Sequence, residues 1–542
     1  MQNDNPNHGN ARAHKVTRAN DQEHKVSRQL LAIINASQEL QYLLELDHLG
    51  FAPPLNSLDT ISLGDKIGIL HRKRLIATGT TRHEINARTT KLDPIGPPSV
   101  NIRVWYSRGA LAVGKSSINV TNQVQLYQLA SDNKQTEHSS LLLQDTGVEA
   151  DDFRFDPDLD LLVLLERINT PADADADVEL RLHLRSLSTG LAHPLASSPV
   201  LRETFKLTTR YNETGFQIVG KLIVILCFRN SHSEMALPRM CVWNWITGEL
   251  ITSTKVSGKY FAFISEDIFL IPVGHLRSTG SDTIGSLLVF SIADVHFGGP
   301  ARLVASLRLP LPATAPCYCQ YYFIPAPPPP TPLVINGHHR ITTPKRVYEI
   351  GSHSHYLCLR VKAYKVGAPN ETAKGLLFFQ TSNIQAILSK VMASQPNCVV
   401  HIPWEDWARG TSWINTWQMY YSLNCVFGHR VALLSFDHNK CGWRALVYDL
   451  QANVRGLAAV EPYKDNPEEL SDLDAYLNGV FFNPNKNIPR ARVVTSIMVS
   501  EGEDFDDPTD LVPPMLAIDD ERIITYDRTE LAASPKLHVY DI

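Results

Sequence analysis

The sequence predicts an all-β protein, a seven-bladed β-propeller preceded by a short α-helical module and a disordered N-terminal tail. Three observations lead there. From about Val100 onward apolar residues recur with period two, the spacing of a half-buried strand rather than the 3.6-residue spacing of a helix. The order strand, turn, strand, loop, strand returns seven times. At 542 residues the chain exceeds what one compact core holds unless that core is built from repeats.

The stretch from Phe216 to Glu249 displays one unit plainly. Phe216 and Ile218 stand two apart, a turn follows at Gly220 and Lys221, and Leu222 to Cys227 is uninterruptedly apolar, as a strand covered on both faces requires. Val242-Trp243-Asn244-Trp245 then pairs large aromatics with a polar residue. Equivalent third-strand anchors are Leu126-Tyr127-Gln128-Leu129, Leu184-Arg185-Ser186-Leu187, Val289-Phe290-Ser291-Ile292, Phe378-Phe379-Gln380-Thr381, Val447-Tyr448-Asp449-Leu450 and Val539-Tyr540-Asp541-Ile542. Each is preceded by an apolar second strand and, before that, by an alternating pair. Tyr348 and Ile350 fill that first-strand slot in the fifth unit, and Cys425 and Phe427 fill it in the sixth. One such sheet cannot cover its own faces, so the units must shield one another, and four-stranded units in this number close into a ring.

Before the ring, residues 1–27 offer little apolar surface and are expected to be a disordered tail. Residues 28–77 read as a helical linker module. Leu30, Ile33, Leu40, Leu43 and Leu46 recur at helical spacings, Gly50 supplies a stop, and Ser62 is a cap for the next helix. The basic run His71 to Arg74 is expected on a solvated helix face. The propeller is placed at 78–542, with surface-loop insertions near 312–344, where Pro327 to Pro330 cannot donate sheet hydrogen bonds, and 461–489. The chain ends on a third strand, so a segment between Arg74 and Val100 is expected to pair with that otherwise open edge.

Bulk composition narrows the function. A formal charge of -5 with 44% hydrophobic and 20% charged residues gives no electrostatic reason to expect nucleic acid or an anionic membrane. No apolar run is long enough to span a bilayer, and residues 1–27 lack the pattern of an export signal. Eight scattered cysteines without a CxxC pair read as reduced thiols, hence a cytoplasmic or nuclear protein. A protein partner is the expected one.

Several motifs invite chemistry. Gly109-Ala-Leu-Ala-Val-Gly114-Lys115-Ser116 matches the phosphate-binding loop pattern, and the alternative reading of the chain is a nucleotide-binding enzyme using it. That pattern requires a helix after Ser116, whereas Ile118 to Leu129 alternates like a strand. Trp404, Trp407, Trp413 and Trp417 are dense, and are candidates for partner binding or for packing between blades. His338-His339, His353-x-His355 with Cys358, and Cys317-x-Cys319 do not assemble the three or four converging ligands of a metal site. The acidic runs at Asp173 to Asp177 and Glu501 to Asp510 lack the spacing of a calcium loop. No catalytic, metal or cofactor-binding residue is assigned, and no cofactor is expected.

Thr247-Gly248 after one anchor, Ser188 to Gly190 after another, and the turn Phe155-Asp156-Pro157-Asp158 resemble parts of a WD-type repeat. Further, Leu40-Gln41-Tyr42-Leu43-Leu44-Glu45-Leu46 with Gly50, the helix after Ser62, and Val242 to Leu250 together resemble a fungal family of F-box proteins. The resemblance implies a body that holds a ubiquitination substrate, linked through helices to an F-box that docks the adaptor of a cullin-RING ligase. It covers the chain from about Leu30. No Leu-Pro start with a following leucine-rich helix precedes it, so the F-box itself is not evident and adaptor binding is not implied for these residues.

Overall fold

A computed structural model describes residues 28–77, 87–91 and most of 103–541; the longest internal stretches outside the described residues are 325–344 and 452–491. The tail 1–27, the insertion 461–489 and Trp417 also lie outside them.

The ring is made of seven antiparallel sheets. In the third, Glu213–Val219, Leu222–Phe228, Arg239–Asn244 and Glu249–Lys255 pair in chain order, as an up-and-down blade does. Tight turns make this possible. Between the first two strands of blade one, Arg108 (φ 47°) and Gly109 (φ 86°) both occupy the left-handed region, the geometry of a two-residue hairpin turn whose twist matches the strands it joins.

One bond recurs from blade to blade. In blades one to six the backbone N–H of the residue that ends the anchor donates to a carbonyl between strands one and two. Leu129 reaches Gly109 (2.9 Å), Leu187 reaches Asp160 (2.8 Å), Trp245 reaches Lys221 (3.0 Å) and Ile292 reaches Asp267 (2.9 Å). Thr381 reaches His355 (3.1 Å) and Leu450 reaches His429 (2.9 Å). The polar member of the anchor caps the next turn: Asn244 Oδ1 accepts from Ile246 N, Asp449 Oδ1 from Gln451 N, and Ser186 and Ser291 do the same through their hydroxyls. The aromatic-polar pattern therefore has a local cause: one residue is buried and its neighbour closes the turn.

Apolar clusters fill the spaces between successive blades all the way round. The last of them joins Tyr106, Leu111 and Tyr127 of blade one to Ile524, Leu537 and Val539 of blade seven, which closes the ring. Fully buried Trp243 and Trp245 sit in the cluster between blades two and three, each worth about 3 kcal/mol or more against truncation. Blade seven is completed by Ala87–Lys91, which pairs antiparallel with Lys536–Asp541 and occupies the edge the chain terminus leaves open.

Three expectations need correction. Blade five does not begin at Tyr348 and Ile350; its first strand is Cys317–Ile324, paired to Tyr356–Lys365, so 312–344 is not wholly a surface loop. Glu349–Ile350 instead pairs with Phe51–Ala52 of the helical module. Both segments alternate, and alternation alone does not say which partner a strand finds. In blade six Val426–Phe427 does pair with Arg430–Asp437, but Met419–Tyr420 pairs with the same strand, so the first-strand position extends beyond Cys425 and Phe427. The run His71 to Arg74 is not simply solvated: Lys73 is buried and Arg74 pairs with Glu45 at 2.8 Å.

The helical module comprises α1 (residues 28–36), α2 (Gln38–Leu49) and α3 (Leu63–Ala77). Ser37 breaks the first two apart because its hydroxyl accepts from Leu40 N and caps α2, an arrangement worth about 1 kcal/mol. Gly50, at φ 69°, ends it with an N–H bond back to Asp47. Ser62 caps α3 by accepting from Asp65 N. A second helical insertion leaves blade five through α4 (Thr381–Ser394) and α5 (Trp404–Trp407). Between these helices, Val400–Ile402 adds a fifth, parallel strand to blade four.

Candidate functional site

The module docks against the end of the ring that carries the turns between first and second strands. Its inward face, with Tyr42, Leu46, Leu49 and Leu70, packs on Val347 and Tyr348 of residues 345–350, a strap that runs from the fifth blade. Tyr42 Oη donates to the Val347 carbonyl. Main-chain bonds between Arg346 and residues 56 and 58 hold the strap parallel to the module.

Asn133 is the cross-link. Its Oδ1 accepts from Val347 N and Tyr348 N, both at 3.1 Å, its Nδ2 donates to Asp520 (3.1 Å), and its backbone N–H donates to Glu521 Oε1 (3.0 Å). One side chain from blade one thus joins the strap to the turn of blade seven. Around it lies a recess whose wall includes Arg108, Asn133, Tyr348, Glu349, His355 and Glu521, with an interior space of about 40 Å³. That is room for roughly three water-sized groups.

Its charges are arranged in two layers. Behind the wall, Asp158 accepts from Lys134 Nζ (2.9 Å), from Arg108 (3.1 Å) and from Arg346. Burial pushes the Asp158 carboxyl upward, but the three cations outweigh it and hold it well below the usual carboxylate range. Asp156, which shares Arg108 at 3.3 Å, is raised because burial dominates there. At the front, Arg522 pairs with Asp519 (3.2 Å) and Glu521 (2.6 Å), and Tyr106 Oη donates to Asp519. Lys73 of α3 donates to the Asp520 carbonyl at 2.9 Å and lies 5.6 Å from the centre of the Tyr348 ring. Burial lowers its pKa, and burial raises those of Glu349 and Glu521. His355 is pushed down to about 4 by burial and then by Arg108 nearby, so its ring is neutral at pH 7.

The phosphate-loop match does not form such a loop. Ala110–Ser116 is the second strand of blade one and pairs antiparallel with another strand, Thr121–Gln128, where a phosphate loop would lead into a helix. Both glycines have sheet reasons. Gly109 makes the hairpin turn, and a Cβ on Gly114 would lie 2.6 Å from the Phe153 ring of the next blade and 2.8 Å from Thr121.

Trp404, Trp407 and Trp413 are buried in the cluster between blades four and five, with Trp404 and Trp407 edge to face at 4.8 Å. Trp407 Nε1 donates to the Arg308 carbonyl (2.8 Å). His355 lines the recess, whereas Cys358 lies in the apolar cluster between blades five and six. No group of three metal-ligating residues occurs among the described residues. No helix among them is long and apolar enough to cross a membrane. Of the charged and titratable residues that line the recess, the sequence singles out His355 alone, and there as one of a histidine pair. A further signal is Asp519-Asp520-Glu521-Arg522, a dense charged run in a tight turn between two largely apolar strands.

No family model matches the chain, and no curated protein matches it. Among solved structures it is similar to the WD40 domain of SCAP from fission yeast, at 7% identity and TM-score 0.37, covering 84% of this chain and 98% of that one. It is also similar to a GH43 β-1,3-galactosidase, at 12% identity and TM-score 0.18, covering 64% of this chain and 70% of that one. The sheet order and the seven inter-blade clusters define a seven-bladed β-propeller, with a helical module clasped to its turn end.

Proposed function

We propose that the chain is a non-enzymatic protein-interaction scaffold, and more narrowly the substrate-holding body of an F-box type ubiquitin ligase component. The clasp carries this reading. A ring tied to helices through buried, charge-assisted bonds is one rigid piece with two working surfaces: the ring, and the outward side of α1 and α2. On that outward side Leu30, Leu31, Ile33, Leu40, Leu43 and Leu44 are all exposed, between 38% and 57%. Apolar residues left uncovered in a row mark a contact surface. In the family the sequence resembles, these helices join the body to the F-box. A fixed geometry between the two surfaces would present a client at a set distance from the ligase.

The test is affinity capture with mass spectrometry, comparing the full chain with a variant carrying Leu40→Asp, Leu43→Asp and Leu44→Asp. We expect a client with both chains; adaptor and cullin subunits captured with the parent chain and lost with the variant would add the ligase role to the scaffold. Recovery of a client without any ligase subunit removes the ligase reading and keeps the scaffold. Recovery of no client by either chain removes the scaffold.

A further inference from the structure

The recess at the turn end has a function of its own to account for. Six carboxylates gather there, those of Asp156, Asp158, Glu349, Asp519, Asp520 and Glu521. They meet five cations, those of Lys73, Arg108, Lys134, Arg346 and Arg522. Arg430, which also faces Lys73, stands opposite Asp449 in the register of blade six. Three of the five cations direct their charge backward onto Asp158, away from the opening. The front, where Glu349, Asp519, Asp520 and Glu521 meet only Lys73 and Arg522, therefore carries more negative charge than positive.

A second, independent feature faces the same space. His355 is 6% exposed and lines the recess, and its Nε2 has no hydrogen-bond partner. With its proton on Nδ1, the neutral imidazole leaves Nε2 free to accept. In the neutral ring Nε2 is then a bare acceptor. A buried acceptor without a donor costs about as much as a lost hydrogen bond, and it remains in a folded protein when something supplies the donor. Tyr348 and Phe427 also line the recess.

We propose that this recess binds one ammonium or guanidinium group, which donates N–H to His355 Nε2 and supplies the missing charge opposite Glu349 and Glu521. The recess is small, about 40 Å³, and takes one such group rather than a larger ligand. An anion would meet four carboxylates at the front, and a cation without N–H would leave His355 unsatisfied. The group has two possible sources, a free small amine or the side chain of a basic residue on a bound protein. The site does not depend on the scaffold reading.

Calorimetric titration of the full chain tests it. Methylguanidinium chloride is expected to give a saturable heat that sodium chloride and tetramethylammonium chloride at equal ionic strength do not. Glu349→Gln, which is isosteric, and His355→Phe are expected to weaken binding at least tenfold. Agmatine and the pentapeptide Gly-Ser-Arg-Ser-Gly then separate the sources: the tighter of the two identifies a small amine or a protein side chain. The proposal is overturned if methylguanidinium gives no saturable heat, if tetramethylammonium matches it, or if inorganic phosphate binds in its place. Unchanged affinity in a folded Glu349→Gln variant overturns it as well. The comparison among salts uses the parent chain alone and holds even if the His355 variant does not fold.

Discussion

Phe51 lies flat on Tyr348, with ring centroids 4.1 Å apart and planes 16° from parallel. The two residues are almost three hundred positions apart in the chain, and their strands pair beside them, Phe51 with Ile350 and Ala52 with Glu349. The stack is the apolar half of the clasp whose polar half is Asn133. Phe51→Ala is expected to cost about 3–4 kcal/mol, the usual penalty for emptying a buried aromatic site. Hydrogen exchange should locate the loss: amides in α2 and α3 should exchange much faster, while those of Leu222–Phe228 stay protected. Uniform acceleration in both regions would mean that the ring depends on the module for its own stability.

Acid titration should separate the two layers of the network. The carboxyls of Asp158 and Asp520 are lowered, so the stability they contribute is full above about pH 4 and is lost as pH falls through their folded values. Those of Asp156, Glu349 and Glu521 are raised, so the folded state takes up protons first and gains stability as pH drops from neutrality towards about 5. Urea unfolding at a series of pH values should therefore show maximum stability on the acid side of neutral and a fall below about pH 4. Asp158→Asn removes the counter-charge shared by Lys134, Arg346 and Arg108, leaving Arg108 only Asp156, and should cost roughly 3–5 kcal/mol at pH 7, with a shallower acid limb.

The glycine-lysine motif in blade one gives a test with opposite signs. A phosphate loop would lose nucleotide binding on Lys115→Ala, whereas a propeller strand has no nucleotide to lose. Labelled ATP should give equal, negligible signals with the parent and Lys115→Ala. Gly114→Ala should instead destabilise by roughly 1–3 kcal/mol, because its Cβ would enter the space of Phe153 and Thr121. A thermal melt reads the second effect directly.

These cases also show what the chain reveals on its own. Blade three is legible because period two, a turn glycine and an apolar run are local features, and each one suffices to place its strand. The anchors are legible for the same reason, since Asn244 and Asp449 close turns within three residues of themselves. Glu349 and Ile350 are not, because their strand partner is fixed by a contact with Phe51 and Ala52 that no local pattern announces. Arg108, Asp158, Arg346 and Asp520 each read alone as a solvated charge in a turn. Only closure of the ring brings blades one, two and seven and the strap together, and only then does burial turn those charges into a network.

Closure itself can be tested at the seam. Thr89 Oγ1 lies 3.0 Å from His538 Nδ1, and the two residues are opposite each other in the pairing that completes blade seven. A cysteine at each position, in a Cys398→Ser background to remove an exposed thiol, should bridge the first-built and last-built edges of the ring. The loop it closes spans nearly the whole propeller, so oxidation should stabilise by roughly 2–5 kcal/mol by restricting the unfolded chain. The measurement is the difference in melting temperature between oxidised and reduced forms of the same variant. A clear rise on oxidation is expected if this strand stays paired in solution. If the strand spends much of its time detached, the bridge will form slowly and raise the melting point little, and the open edge of Lys536–Asp541 should then drive concentration-dependent association of the reduced protein.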